Sequence, residues 1–170
     1  MFRYAAAAMS NIRKAGVALA ILLLLILLAP VIAIALIWFM IQGIVLRLWF
    51  WHAHYSKGRD ALLIYSDSPI WKGQIETRIL PRLHERAVVL NWSRRRHWRA
   101  ETPWESWFVK RFAGSRGFNP SVLVILPGLR IRKVSFYSGF VDLKHGKPQS
   151  LEAAEEELFR LLPVTGGGHS

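Results

Sequence analysis

Ala61-Leu62-Leu63-Ile64-Tyr65-Ser66-Asp67-Ser68-Pro69-Ile70-Trp71 carries the reading of the fold. Its first five residues are apolar without alternation, which means burial on both faces, as in a sheet covered by helices on each side. Ser68-Pro69 then places a capping hydroxyl before a proline at a first helical position. Trp71, Ile75, Ile79 and Leu83 follow at every fourth residue, one face of a helix. The stretch is therefore a strand feeding a helix, and the helix bends near its end because Pro81 removes a backbone donor.

The same grammar repeats downstream. Ala87-Val88-Val89-Leu90-Asn91-Trp92 and Ser121-Val122-Leu123-Val124-Ile125-Leu126 are further continuous apolar runs. Between them Trp104, Phe108 and Phe112 recur at helical spacing behind Thr102-Pro103, with Glu105 at capping-box distance from Thr102 and Gly114 placed to end the helix. Two crossover helices predict three parallel strands. The link after Leu126 contains Pro127-Gly128 and is too short for another crossover, so the alternating Val134-Ser135-Phe136-Tyr137 is read as an antiparallel fourth strand. A last helix is expected from Leu151 to Leu162 with Ser150 as its cap and Glu152, Glu155, Glu156 and Glu157 near the positive end of its dipole. Residues 60–163 thus read as one small βαβαββα domain, and residues 164–170 as a disordered tail. No internal repeat is visible.

Ahead of this domain, Ala15 to Leu46 holds no charge and one strongly polar side chain, Gln42. A helix crosses the roughly 30 Å hydrocarbon core with about 20 apolar residues, so residues 15–46 are read as a transmembrane helix after a short tail, residues 1–14. Ala33-Ile34-Ala35 has cleavage-like spacing, but the run continues well past the roughly 7–15 residues of a signal-peptide core. A hairpin bent at Pro30 remains the alternative to a single span, although proline is tolerated inside membrane helices. Residues 47–59, with Trp49, Trp51 and Tyr55, read as a juxtamembrane interfacial segment, and His52 and His54, two apart, share no metal-binding face.

Basic residues flank the run equally, Arg3, Arg13 and Lys14 before it and Arg47, Lys57 and Arg59 after it. The part after Leu46 holds 20 basic residues against all 11 acidic ones, which favours a single-pass arrangement with the domain on the cytoplasmic side. A fragment starting near Lys57 is expected to be soluble. The chain has no cysteine, which excludes disulfides and thiolate chemistry.

The element order resembles the thioredoxin-like fold, in its short glutaredoxin-type form, over roughly residues 61–162. Leu63 to Trp71 looks like the strand and loop that carry that family's redox motif, with Ser68 and Trp71 where its two cysteines would stand, and Asn119-Pro120 precedes the third strand where the family keeps a cis-proline. The resemblance implies a topology without the activity, since thiol–disulfide exchange needs cysteine. A second resemblance, to TIR-like and other flavodoxin-type domains, rests on the strand ending Tyr65-Ser66, Trp71 and the helix after it. That family includes NAD-cleaving enzymes.

A site in an α/β sheet forms at the carboxyl ends of parallel strands. Three loops qualify: Ser66, Asp67 and Ser68 with Lys72 one turn on; Asn91, Ser93, Arg94, Arg95 and Arg96; and Gly128 after the third strand. A helix start beside three arginines is a candidate anion pocket, because backbone N–H groups and guanidinium forks both favour phosphate or carboxylate. Arg94-Arg95-Arg96-His97-Trp98-Arg99 is also the densest charge in the chain. Trp98 and Arg99, with Trp49, Trp51 and Tyr55, are candidates for the membrane surface. For a tethered domain, anionic lipid headgroups are the nearest polyanion, a membrane-protein partner ranks second and nucleic acid last. No phosphate-binding glycine loop, nucleophile elbow or zinc motif occurs, and no metal or cofactor is implied. These features favour a membrane-anchored binding or scaffolding domain over an enzyme acting on an anionic substrate at the strand ends.

Overall fold

A computed structural model describes residues 2–114 and 120–162. The chain divides into two compact units, residues 1–44 and 45–170. Helix α1 (Phe2–Ala53) is long and apolar enough to cross a membrane. It continues through Pro30 without a break, so no hairpin forms there. From Val17 to Ile44 its large apolar side chains are exposed, as a helix without a polar face requires of its surroundings.

The second unit is built on a four-stranded mixed sheet in the order β2-β1-β3-β4, with β1 (Ala61–Tyr65), β2 (Ala87–Asn91), β3 (Ser121–Leu126) and β4 (Arg130–Ser135). Strand β1 is parallel to β2, Ala61 facing Ala87, but antiparallel to β3, Ala61 facing Val124. The expected three parallel strands are therefore corrected to two. Continuous apolarity reports burial on both faces and says nothing of direction, and β3 is as buried as β1. Strand β2 lies at the edge, with Val89 partly open to solvent.

Period-two alternation sends each strand's side chains to two separate cores. Ala61, Leu63, Tyr65, Val122, Val124 and Val134 meet one helical layer. It comprises α2 (residues 72–83) and the last two helices, α5 (Tyr137–Lys144) and α6 (Gln149–Leu161). Leu62, Ile64, Leu90, Leu123 and Ile125 meet the other, formed by α3 (Trp98–Glu101), α4 (Pro103–Phe112) and the end of α1, where Leu46 and Phe50 are buried. The segment read as interfacial thus supplies part of the domain's core. Phe50 lies 4.6 Å from the Phe108 ring, and His54 Nε2 is 3.1 Å from Glu105 Oε1.

Local chemistry explains the remaining departures. In α2, where a bend is expected near Pro81, the structure has a π-helical segment, Ile75–Ile79, ahead of the proline, whose missing N–H leaves the preceding turn free to widen. Thr102 does not cap α4 with its side chain, and Glu105, the other half of the expected box, is turned to His54. Gly114 ends that helix with φ 76°, and Lys133 Nζ reaches from β4 to donate to the Ala113 carbonyl, a cationic cap with no signal in the local sequence. Gly128 and Leu129 take φ of 75° and 59° to turn the β3–β4 hairpin. Strand β4 starts at Arg130 and stops at Ser135, and Tyr137, read as the end of that strand, instead opens α5, a helix the sequence reading lacks. Ser150 lies inside α6 and donates to Asp142 Oδ2 at 2.5 Å instead of capping it. The Asn119–Pro120 bond and the tail from 164 lie outside the described residues.

Three ion pairs tie neighbouring elements together. Glu155 on α6 is buried and receives Arg78 at 3.2 Å and Arg82 at 3.6 Å from α2, with the Arg82 guanidinium 3.6 Å above the Phe159 ring. Asp60, before β1, is buried and accepts two hydrogen bonds from Arg86, which precedes β2. Both charges are paired, as burial demands.

Candidate functional site

The carboxyl ends of β1 and β2 lie side by side because these strands are parallel. The loop leaving β1 and the loop leaving β2 therefore meet. Asp67 sits at the junction: its Oδ1 is 3.0 Å from Lys72 Nζ and accepts from Asn91 Nδ2 at 3.0 Å, while its backbone N–H donates to Ser93 Oγ at 3.0 Å. Asn91 Oδ1 accepts from the Ser93 N–H at 2.9 Å, a turn formed by its own side chain. Trp71 Nε1 donates to Ser66 Oγ at 3.1 Å, and Ser68 Oγ receives the Ile70 N–H at 3.4 Å. Tyr65 OH donates to Glu76 Oε1 at 3.0 Å, fixing the end of β1 to α2.

This arrangement brings together Ser66, Asp67, Ser68, Lys72, Asn91 and Ser93. Lys72 holds the Asp67 carboxyl below the usual carboxylate range, with Asn91 adding to the effect. The same contact raises the Lys72 ammonium. A lysine held in its charged form is neither a general base nor a nucleophile. Tyr65 is raised as well, first by burial and then by its bond to Glu76, which keeps the phenol neutral.

The arginine loop is ordered and outward-facing. Residues 92–94 form one 3₁₀ turn and Trp98 begins α3. Arg94 is 3.8 Å from Glu101, Arg95 lies 5.4 Å from the centroid of the Trp92 ring, and Arg96 and Arg99 are exposed. Trp98 is not a surface residue: it is buried between the sheet and α4, and its Nε1 donates to the Asn91 carbonyl at 3.1 Å. Trp49 and Tyr55 are half-buried against the same core, whereas Trp51 is exposed.

Gly128 is corrected out of the cluster. Strand β3 runs against β1, so its carboxyl end lies at the opposite edge of the sheet, where Ile125 N–H donates to the Asp60 carbonyl. Its role is to turn the hairpin.

No family model, curated protein or solved structure matches the chain. Among the described residues no group of three or more histidine, aspartate or glutamate side chains is placed to hold a metal ion.

One surface feature escaped the sequence reading. Trp104, assigned there to the inner face with Phe108, is 40% exposed and Trp107 is 56% exposed. Trp49 stacks on Trp104, with centroids 5.6 Å apart and planes at 19°, and Trp107 meets Trp104 edge-on at 5.6 Å. The three-residue spacing of Trp104 and Trp107 was the available signal, since such residues share a helix face.

Proposed function

We propose that this chain is a single-pass membrane protein whose α/β domain is a binding or scaffolding module, redox-inactive, on the cytoplasmic side. The observation that carries the reading is the burial of Leu46 and Phe50, at the end of the apolar helix, in the core of the domain. The helix that carries the apolar run thus also supplies part of the domain's core. A thioredoxin-like topology is supported by the central β1, its parallel neighbour β2 and the antiparallel β3–β4 hairpin followed by helix. The positions that resemble that family's cysteines hold Ser68 and Trp71, and Trp71 packs near Tyr137 and Phe140.

Anionic headgroups are the proposed partner of Arg94, Arg95, Arg96 and Arg99, each basic group near such a surface contributing about 1 kcal/mol. The alternative, an enzyme for a phosphate- or nucleotide-bearing substrate, draws on the gathering of Lys72, Asn91 and Ser93. It is disfavoured because the Lys72 charge is already matched by Asp67.

The test uses the full chain in vesicles. Detergent, but not high salt, should release it from membranes. Amide exchange across residues 92–101 should be slower in acidic than in neutral vesicles, and high salt or glutamine at the four arginines should erase the difference. Equal exchange in both vesicle types removes the lipid partner, and release by salt alone removes the anchor.

A further inference from the structure

The apolar run of α1 ends at Leu46 and Leu48, and a helix rises 1.5 Å per residue, so Trp49 stands within about 5 Å of the last apolar turn. If that run spans a bilayer, Trp49 lies at the headgroup boundary, the level that tryptophan prefers because its ring is apolar and its N–H polar. Trp104 is stacked on Trp49 and Trp107 lies against Trp104. Both belong to α4, a different element from the anchor, and both leave large ring surfaces uncovered. On their helix they flank the face that carries the core residue Phe108, which is fully buried.

Basic groups border the same surface. Lys110, one turn beyond Trp107, is exposed. The Arg47 guanidinium, on the exposed side of α1, lies 5.3 Å from the Phe112 ring centroid, and that of Arg111 lies 5.4 Å away. Aromatic rings with a cationic border match the boundary between acyl chains and anionic headgroups.

We propose that Trp104 and Trp107 form a second bilayer contact, which seats α4 at headgroup depth. This rests on the reading of α1 as a membrane span. The occupant of the exposed ring surface is lipid, because the ring that Trp104 stacks on is the one at the end of the spanning run.

The absence of cysteine allows a direct depth measurement on the full chain in acidic proteoliposomes. Spin labels are placed one at a time at W107C and K110C, with L25C inside the apolar run and E156C on the exposed side of α6 as references. Relaxation by oxygen, which concentrates in the bilayer, is compared with relaxation by a water-soluble nickel chelate. L25C should be dominated by oxygen and E156C by nickel. W107C and K110C should fall between them, with oxygen-to-nickel ratios several-fold above that of E156C. If L25C reports hydrocarbon while W107C and K110C match E156C, the second contact is wrong and the anchor stands. A nickel-accessible L25C overturns both. Labels at W107C shielded from both reagents, or broadened by a neighbouring label, mean that protein covers this face, and the lipid assignment fails.

Discussion

Replacing Phe50 tests whether the end of α1 belongs to the domain or only to the membrane boundary. Its side chain is fully buried, 4.6 Å from the Phe108 ring and 4.9 Å from that of His54. Truncating such a ring to alanine costs about 3–5 kcal/mol, and a buried leucine such as Leu46 costs about 2–5 kcal/mol. A whole domain has only about 5–15 kcal/mol to lose. A fragment beginning at Lys57 lacks both residues as well as Trp49 and His54, and bares Leu62, Ile64, Leu123 and Ile125. We expect it not to fold, contrary to the reading of the sequence alone, whereas a fragment beginning at Val45 retains the core. Near-ultraviolet circular dichroism and urea unfolding of the Val45 fragment provide the assay. Phe50→Ala should lower its unfolding free energy by about 3–5 kcal/mol, and the exposed neighbour Trp51→Ala by less than about 0.5 kcal/mol. The reasoning is refuted if the Lys57 fragment unfolds cooperatively at the same urea midpoint as the Val45 fragment, or if the two substitutions cost the same.

A methyl group on Gly139 would lie 2.7 Å from Leu151 Cα and 2.9 Å from its N, backbone that cannot swing aside, so Gly139→Ala should destabilise by about 1–3 kcal/mol in the same urea assay. Gly73→Ala meets open space in α2 and should instead gain up to about 1 kcal/mol. Glu105 is held below the usual carboxylate range by its hydrogen bond to His54. A depressed carboxyl contributes stability at neutral pH that is lost as pH falls through its folded-state pKa. Thermal midpoints of the native chain and Glu105→Gln should therefore differ most near neutrality and converge below the usual carboxylate range; a gap that widens in acid would contradict the pairing.

Sequence periodicity located the strands because burial on two faces leaves a visible mark, and β1 and β3 carry it without a polar interruption. It missed the direction of β3 because apolarity is the same read either way along a strand. It also missed α5, since Val134 and Phe136 are both buried while the backbone changes from strand to helix between them. Phe50, inside the segment read as interfacial, was misplaced for a related reason. Aromatic side chains suit a headgroup boundary and a protein core equally, and only the opposing surface, here Phe108 and Leu62, decides between them.

The candidate site was legible wherever it depended on parallel neighbours. Ser66 to Lys72 and Asn91 to Ser93 meet because two adjacent strands end at one edge, a consequence of the crossover helix. Gly128 failed the same argument once β3 reversed. What no spacing could reveal is that the gathered groups satisfy one another: the Asp67 carboxylate takes the Lys72 ammonium and the Asn91 amide, and its backbone N–H donates to the Ser93 hydroxyl. Removing that carboxylate distinguishes a clasp from a site. Asp67→Asn should lower the Lys72 pKa, because the contact that raises it is lost. If the cluster only clips two loops together, inorganic phosphate should leave the amide resonances of Ser68, Lys72 and Ser93 unmoved in both proteins. If the cluster is a phosphate site that Asp67 blocks, those resonances should shift with phosphate in Asp67→Asn alone. That result would transfer the anion-binding role from the arginine loop to the strand ends.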